Sequence, residues 1–160
     1  MPLPQRKLHR LKTWDYSDPG YYYVTICTKN KKKLLSNIHQ NGHDAHSIPT
    51  PLGQTVLDCW NRIEITYPHV KLDYTCLMPN HLHGIIILEN KTICLSDIIR
   101  TFKSVTTRAY NQLVADADKN TLWQSSFYDE IIRNEAMLFE VRKYIHGNPS
   151  KWLEDDLFVE

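Results

Sequence analysis

Two histidines at the start of an aliphatic run are the residues of this 160-residue chain whose types and spacing most clearly suggest chemistry. His81 and His83 are two positions apart, so in a β-strand both side chains point to the same face of the sheet. Two imidazoles on one face can bind a divalent metal ion together. The run from Gly84 to Leu88 supplies apolar residues to both faces and predicts a buried strand. The alternative is a pair of surface histidines beside a turn, but a buried strand that begins with two imidazoles favours the metal site.

A second candidate group lies on a predicted C-terminal helix, from Glu135 to Asn148. An acidic residue favours the first turn of a helix, and Pro149 ends this one. Tyr144 and Asn148 are one turn apart and therefore share a face. The alternatives are that Tyr144 is an amphipathic residue at the edge of the core and that Asn148 is a C-cap.

Together the two segments resemble the single-tyrosine HUH transposases, and within them the REP-associated tyrosine transposases and related short insertion-sequence transposases. The resemblance runs from about Gly20 to about Trp152 and depends on four motifs in the right order. These are Met-Pro-Asn-His-Leu-His-Gly (78–84), Ile-Arg-Thr-Phe-Lys-Ser-Val-Thr (99–106), Leu-Trp-Gln (122–124) followed by Phe-Tyr-Asp-Glu-Ile-Ile-Arg-Asn-Glu (127–135), and Tyr-Ile-x-x-Asn-Pro (144–149).

The resemblance implies an activity and its residues. Tyr144 would attack a scissile phosphate of single-stranded DNA that carries a hairpin, forming a 5′-phosphotyrosine. His81, His83 and Asn148 would bind a divalent ion, Mg²⁺ or Mn²⁺, which polarises that phosphate. A homodimer is compatible with the family. Two other classes remain open: another HUH endonuclease of the replication-initiator or relaxase type, and a domesticated DNA- or RNA-binding module without catalysis.

The elements that must position these residues follow from periodicity and from turn signals. The predicted strands are Gly20–Thr28, Val70–Leu77, the histidine strand and Phe127–Ile132, and the predicted helices before the last one are Gly53–Tyr67 and Leu95–Leu113. This order predicts an α+β fold with a ferredoxin-like (split βαβ) antiparallel sheet and an additional C-terminal helix that carries Tyr144. We expect that helix to dock on the sheet face that bears His81 and His83.

Composition and termini indicate one cytoplasmic domain over residues 1–160, with its core at about 20–152. The hydrophobic fraction of 42% is typical of a globular protein. The basic start lacks the apolar region of a signal peptide, and no apolar run approaches the roughly 20 residues of a membrane span. Four widely spaced cysteines without a CxxC pair indicate reduced thiols rather than a zinc ribbon.

Net charge is only +1, so the distribution of charge is more informative than its sum. Residues 1–35 hold eight lysines and arginines against two aspartates, which suits a nucleic-acid backbone. A basic stripe on the helix at 95–113 could contact phosphates or could simply face solvent; it consists of Arg100, Lys103 and Arg108. Several aromatic residues could stack on bases, although core packing is the better interpretation of each: Tyr21, Tyr22, Tyr23, Trp123 and Phe127.

Two segments have no predicted functional role. The polar region 37–51 contains His39, His43 and His46, and we expect a mobile surface insertion there rather than a metal site. The acidic C-terminal tail contains Glu154, Asp155, Asp156 and Glu160, and we expect it to be solvated.

Overall fold

The computed structural model describes residues 14–160, so the first part of the basic N-terminal segment lies outside the described residues. The strands are β1 (Gly20–Cys27), β2 (Ser36–Asn41), β3 (Asp44–Pro49), β4 (Val70–Met78), β5 (His81–Leu88) and β6 (Tyr128–Ile132). The helices are α1 (Pro51–Asn61), α2 (Ile63–Thr66), α3 (Leu95–Leu113) and α4 (Glu135–Gly147), and a 3₁₀ segment (Pro149–Glu154) follows α4. Within residues 14–160, none of the helices has the length and apolar character needed to cross a membrane.

Four strands form an antiparallel sheet in the order β4-β5-β1-β6. Strands β1 and β4 are joined through α1 and run parallel on either side of β5, which is the split βαβ arrangement. The predicted α+β, ferredoxin-like sheet with an added C-terminal helix is therefore confirmed. The predicted bounds of α3 are also those observed, whereas the predicted helix Gly53–Tyr67 is two helices, α1 and α2.

The sheet is covered on both faces, as the pattern of β5 predicts. One face packs against α1 and α3 through residues such as Leu82 and Ile86. The other face carries Ile85, which forms a smaller apolar cluster with Tyr23 and Ile145 of α4. Helix α4 thus lies over the histidine face of β5, as expected from the sequence.

Gly84, the glycine directly after the histidine pair, allows a close approach behind the site. A Cβ atom there would lie 2.3 Å from Cζ2 of Trp60 on α1. The Trp60 indole donates to Thr75 Oγ1 on β4 at 2.9 Å and packs edge-on against Phe102 of α3 at 5.3 Å between ring centroids. The sheet is therefore backed by a rigid aromatic layer at the level of the histidines.

The region 37–51 is a regular β-hairpin for most of its length, which corrects the expectation of an insertion without strands. Strands β2 and β3 form a hairpin with its turn at Gly42, whose φ is +64°. Ser36 and Ser47 both donate to the carbonyl oxygen of Leu77, which ties the hairpin to the end of β4. The sequence did not predict the hairpin because most side chains of β2 and β3 are polar and exposed, so the strands lack a clear apolar face.

The four cysteines form no disulfide with one another, in agreement with the expectation of reduced thiols.

Candidate metal centre and nucleophile

The two histidines are held by an inner strand of the sheet. His81 pairs with Cys27 on β1 and with Met78 on β4, and His83 pairs with Thr25 and Cys76. Because both neighbouring strands fix the backbone of β5, the two imidazoles are placed rigidly on one face. Their rings are edge to face with 4.5 Å between centroids, and the two Nε2 atoms are 3.0 Å apart. Both side chains are buried.

Asn80 sets the tautomer of His81. Its amide nitrogen donates to the carbonyl oxygens of Leu157 at 2.8 Å and Lys31 at 3.3 Å, so its oxygen faces His81 Nδ1 at 2.8 Å. Nδ1 must therefore carry the proton and donate it, which leaves the lone pair of the neutral ring on Nε2. An imidazole oriented in this way by an amide presents Nε2 to a metal ion.

Two hydroxyl groups on β1 perform the same role for His83. Tyr23 Oη lies 2.8 Å from His83 Nδ1, and Thr25 Oγ1 lies 2.9 Å from the same atom. A hydroxyl oxygen can accept the Nδ1 proton, and Nε2 then carries the lone pair. Sequence reasoning assigned Tyr23 to packing and did not single out Thr25. Their i, i+2 spacing on a strand would have identified them once β1 was paired with β5.

Burial keeps both imidazoles neutral. Removal from water lowers the pKa of His81 to about 4, opposed by the nearby charge of Asp155 and by the Asn148 amide. Burial, with the neighbouring His81, also places the pKa of His83 well below its usual value. Neutral imidazoles are the form that binds metal, so the site is prepared for a cation at neutral pH.

Asp155 joins the histidines from the C-terminal tail, which corrects the expectation of a solvated tail for this residue, whereas Glu154, Asp156 and Glu160 are exposed as expected. Its Oδ2 atom lies 3.7 Å from His81 Nε2, and only 4% of its side chain is exposed. Oδ1 accepts from the Leu157 amide at 2.7 Å, whereas Oδ2 is buried and accepts no hydrogen bond among the described residues. One ligand atom from each of His81, His83 and Asp155 lies within 4.8 Å of the others, which forms a candidate metal-binding group.

The tail is held in place by aromatic packing. The Trp152 ring lies 6.0 Å from the His81 ring and 5.2 Å from the Phe158 ring, between centroids. Trp152 is buried, although it follows the last predicted helix. Trp152 precedes Asp155 and Phe158 follows it in the sequence, and these two aromatic residues could have indicated that the acidic tail packs against the protein.

Asn148 lies in the same place. Its φ of −62° and ψ of −41° continue the helical backbone, and its N–H donates to Ile145, so it caps α4 as the alternative interpretation stated. Its side chain nevertheless points inward and is 2% exposed, and Oδ1 is buried without a hydrogen bond among the described residues. Burial lowers the pKa of His81 and raises that of Tyr144, and the Asn148 amide opposes both shifts, which indicates contact with both side chains.

Tyr144 stands at the edge of this group. Its ring centroid lies 5.5 Å from that of His83 and 6.4 Å from that of Tyr23, yet 48% of the residue is exposed. Partial burial, and then the charge of Asp155, raise the pKa of its hydroxyl. A second tyrosine, Tyr128 on the edge strand β6, lies against Tyr23 at 6.2 Å and donates to Glu130 at 3.2 Å.

The basic residues predicted on α3 are not brought to the histidines, because α3 covers the opposite face of the sheet. Arg100 pairs with Asp97 at 2.7 Å, and Arg108 is exposed. Lys103 donates to the carbonyl oxygens of residues 124 and 126, at 2.8 and 3.0 Å, so it also holds the segment that precedes β6.

The remaining basic and aromatic candidates divide between the site, the core and the surface. Lys31 lies close enough to the site for its charge to lower the pKa of His81. Tyr22 and Trp123 are buried in the core beneath α3, which confirms core packing for these two. Tyr21 remains partly exposed, at 37%.

Comparisons with known proteins bear on the family and on the fold. A protein-family model described as "Transposase IS200 like" matches residues 17–148. An uncharacterized protein of Haemophilus influenzae is 33% identical, over 99% of this chain and 96% of that protein. A REP-associated tyrosine transposase bound to a REP hairpin superposes with a TM-score of 0.66 at 20% identity, over 89% of this chain and 73% of that one. A putative transposase from Deinococcus radiodurans gives 0.54 at 15% identity, over 86% and 95%. These two structural likenesses concern the fold.

Proposed function

Since the chain belongs to the IS200-like transposase family, we propose that it cleaves and rejoins single-stranded DNA at hairpin-bearing ends through a 5′-phosphotyrosine on Tyr144. Family membership implies DNA endonuclease and strand-transfer activity, and the proposal adds the residues and the intermediate. Residues 1–160 would act as one such domain. The observation that carries the proposal is the pair of neutral imidazoles, with Nε2 atoms 3.0 Å apart, directly beside a half-exposed tyrosine.

The side chains present fit a divalent metal ion. Two adjacent ligands of an octahedral ion with bonds of about 2.1 Å are separated by about 3.0 Å, which is the distance between the two Nε2 atoms. The two buried oxygens without hydrogen bonds, Asp155 Oδ2 and Asn148 Oδ1, are the kind of atoms that a cation would satisfy. Two nitrogens with carboxylate and amide oxygens suit Mg²⁺ or Mn²⁺ in a phosphoryl-transfer site. When bound, the ion would act as a Lewis acid on the scissile phosphate.

The chain itself would perform the covalent step. Tyr144 Oη attacks the phosphorus in line, a bond from Oη to phosphorus forms, and the bond from phosphorus to the 3′ oxygen breaks. The 3′ oxygen leaves and takes a proton from water to become a hydroxyl, while the phenolic proton passes to solvent at the exposed side of the ring. Burial and the charge of Asp155 raise the pKa of the Tyr144 hydroxyl, and the Asn148 amide partly offsets that rise and so favours loss of the proton. Attack by the 3′-hydroxyl of another DNA end on the phosphotyrosine reverses the step and rejoins strands without ATP.

Single-stranded DNA fits the arrangement better than duplex DNA. The nucleophile lies where α4 meets the sheet, and a phosphate must approach Tyr144 along an exposed strand. Lys31 supplies a positive charge beside the site. The REP-associated relative was solved with a REP hairpin, and this chain would take a hairpin-bearing strand in the same way, as a monomer or as a homodimer.

The proposal is tested with a labelled single-stranded hairpin and Mn²⁺, by following the covalent adduct on a denaturing gel. Tyr144→Phe should form no adduct and should retain DNA affinity, whereas Tyr128→Phe, the matched control, should form the adduct. An adduct from Tyr144→Phe that disappears in Tyr128→Phe would move the nucleophile to β6. DNA binding by the wild-type protein without any adduct would favour the non-catalytic binding module.

A further inference from the structure

Helix α4 carries an arginine that binds two consecutive residues of β4. The Arg142 guanidinium donates to Asp73 Oδ2 through Nε at 2.9 Å and through Nη2 at 2.6 Å. The same guanidinium lies over the Tyr74 ring, 5.5 Å from its centroid. Asp73 is largely buried, with 14% of its side chain exposed, whereas 40% of the Arg142 side chain is exposed, so the carboxylate is the sheltered partner of the pair.

A β-bulge makes this double contact possible. Leu72 pairs with Ile86 and Thr75 pairs with Gly84, so Asp73 and Tyr74 together stand opposite one residue of β5. In a regular strand their side chains would point to opposite faces, whereas in a bulge both can point to the same one. Here both reach Arg142 on the α4 face. Thr75 returns to the other face and accepts from Trp60.

Helix α4 gains a directional contact in this way, in addition to the apolar packing of Met137, Leu138 and Val141 on the sheet. The apolar cluster beneath it has four buried members, namely Tyr23, Ile85, Ile132 and Ile145. Apolar contacts are non-directional and allow a helix to slide or rotate. Two aligned donors on one oxygen, with a ring beneath them, define position and rotation. Tyr144 follows Arg142 by only two residues, so a rotation at one moves the other.

We propose that Asp73, Tyr74 and Arg142 form a positioning clamp, which fixes α4 where Tyr144 Oη can reach a phosphate held at His81 and His83. This inference rests on the proposed function and adds residues that touch neither metal nor DNA. A displacement of about 1 Å at a reacting atom can cost about 100-fold in rate. The clamp residues therefore act on the rate of the chemical step, and they act on metal binding only through Asn148 at the end of α4.

The competing role for Arg142 is a direct contact with a DNA phosphate. Opposite changes of charge separate the two roles. Arg142→Gln removes a positive charge and Asp73→Asn removes a negative one, so a phosphate contact predicts opposite effects on DNA affinity and rate. A clamp predicts the same effect from both, because each breaks the same pair.

The experiment measures the single-turnover rate of adduct formation at saturating hairpin DNA and Mn²⁺. We expect Arg142→Gln and Asp73→Asn each to slow that rate by roughly 10- to 100-fold, with Mn²⁺ affinity reduced no further than in Asn148→Ala. The double variant should be no slower than the slower single variant, since both substitutions remove one interaction. Lys143→Gln, a neighbouring exposed residue, is the control with equal loss of charge and should keep the wild-type rate. An unchanged or faster Asp73→Asn would overturn the clamp.

Hydrogen exchange of the α4 amides provides a reading that does not depend on activity. Both clamp variants should exchange these amides at least several-fold faster than wild type, while the amides of β1 and β5 stay protected. Unchanged α4 exchange in both variants would reject the clamp whatever the rates show. Absence of an adduct from the wild-type protein would reject the proposed function, and exchange would still decide whether the clamp exists.

Discussion

The two faces of the sheet are built for different purposes. Under α1 and α3, a cluster of 21 buried residues runs through the described part of the chain and contains the large aromatic residues Trp60 and Phe102. Under α4 the buried apolar cluster has four members, and the same face also carries Met78 and the polar side chains of His81, His83 and Asn148, all of them buried. The first face supplies most of the apolar burial that stabilises the fold. The second uses the rigid strands to hold reactive groups, so changes on it should affect chemistry more than stability.

The largest effect should come from a histidine on the α4 face. We expect His81→Ala to abolish adduct formation on a labelled hairpin, because one of the two proposed nitrogen ligands is lost. Chelation of divalent ions by EDTA should abolish the adduct in the wild-type protein equally. The free energy of unfolding should change far less than the activity does.

His46→Ala is the matched control, since His46 is an exposed histidine of the hairpin and lies outside the metal group. It should cleave at the wild-type rate. Full cleavage by the wild-type protein in EDTA would remove the metal from the mechanism and leave the histidines with another role.

The other face is tested by a change that adds volume. Gly84→Ala places a Cβ atom against the Trp60 ring, and we expect it to lower the free energy of unfolding by about 1–3 kcal/mol. Adding Trp60→Phe to Gly84→Ala should recover part of that loss of stability, since the smaller ring leaves room for the new Cβ atom. Gly147→Ala, where a Cβ would meet no atom within 4 Å, is the control and should be neutral or slightly stabilising. Urea unfolding measures all three, and equal stability of Gly84→Ala and Gly147→Ala would contradict the close approach.

Much of this architecture was predictable because it is encoded locally. The i, i+2 spacing placed His81 and His83 on one face of the sheet. Helical spacing placed Tyr144 and Asn148 on one face of α4, which was expected to dock over the two histidines. The additional C-terminal helix, α4, could be expected on the histidine face because the other two long helices already cover the opposite face of the sheet. Periodicity also gave both ends of α3.

The parts that escaped prediction depend on contacts between distant residues. Asp155 lies beside His81 because the tail packs against the protein through Trp152. No periodic pattern in the sequence indicates that packing. The bulge at Asp73 and Tyr74 breaks the strand alternation on which predictions of strand faces depend. The hairpin of β2 and β3 carries polar side chains and pairs only with itself, so it lacks the apolar alternation of a core strand.

The contribution of the tail to the α4 face should be smaller than that of the histidines but measurable. Asp155→Asn removes a charged oxygen from the candidate metal group, and we expect Mn²⁺ affinity to fall by about 10- to 100-fold. Asp156→Asn changes the same charge at an exposed neighbour and serves as the control. Titration of Mn²⁺ followed by electron paramagnetic resonance reports the affinity directly. If both variants bind Mn²⁺ like wild type, Asp155 covers the site without binding the ion.

Asn148→Ala should weaken Mn²⁺ binding less than Asp155→Asn, because it removes a neutral oxygen that water can replace. The same titration measures it, and adduct formation should slow by a similar factor at subsaturating Mn²⁺. Unchanged affinity and unchanged cleavage would reduce Asn148 to the C-cap of α4.

The smallest effects should come from the basic residues of the opposite face. If α3 contacts the DNA backbone, Arg100→Ala and Arg108→Ala should each lower affinity for hairpin DNA across all sequences. Each should also reduce the slope of log K against log salt by about 0.7 per lost phosphate contact on a single strand. Lys103→Ala should do the same, and it also releases the segment at residues 124–126 that Lys103 holds.

The single-turnover rate of bound DNA should stay at the wild-type value for Arg100→Ala and Arg108→Ala, since α3 lies across the sheet from Tyr144. Arg62→Ala, an exposed arginine at the end of α1, controls for the loss of one charge. Salt slopes for Arg100→Ala and Arg108→Ala that equal the Arg62→Ala slope would leave DNA binding to the α4 face alone, where Lys31 is the cation beside the histidines.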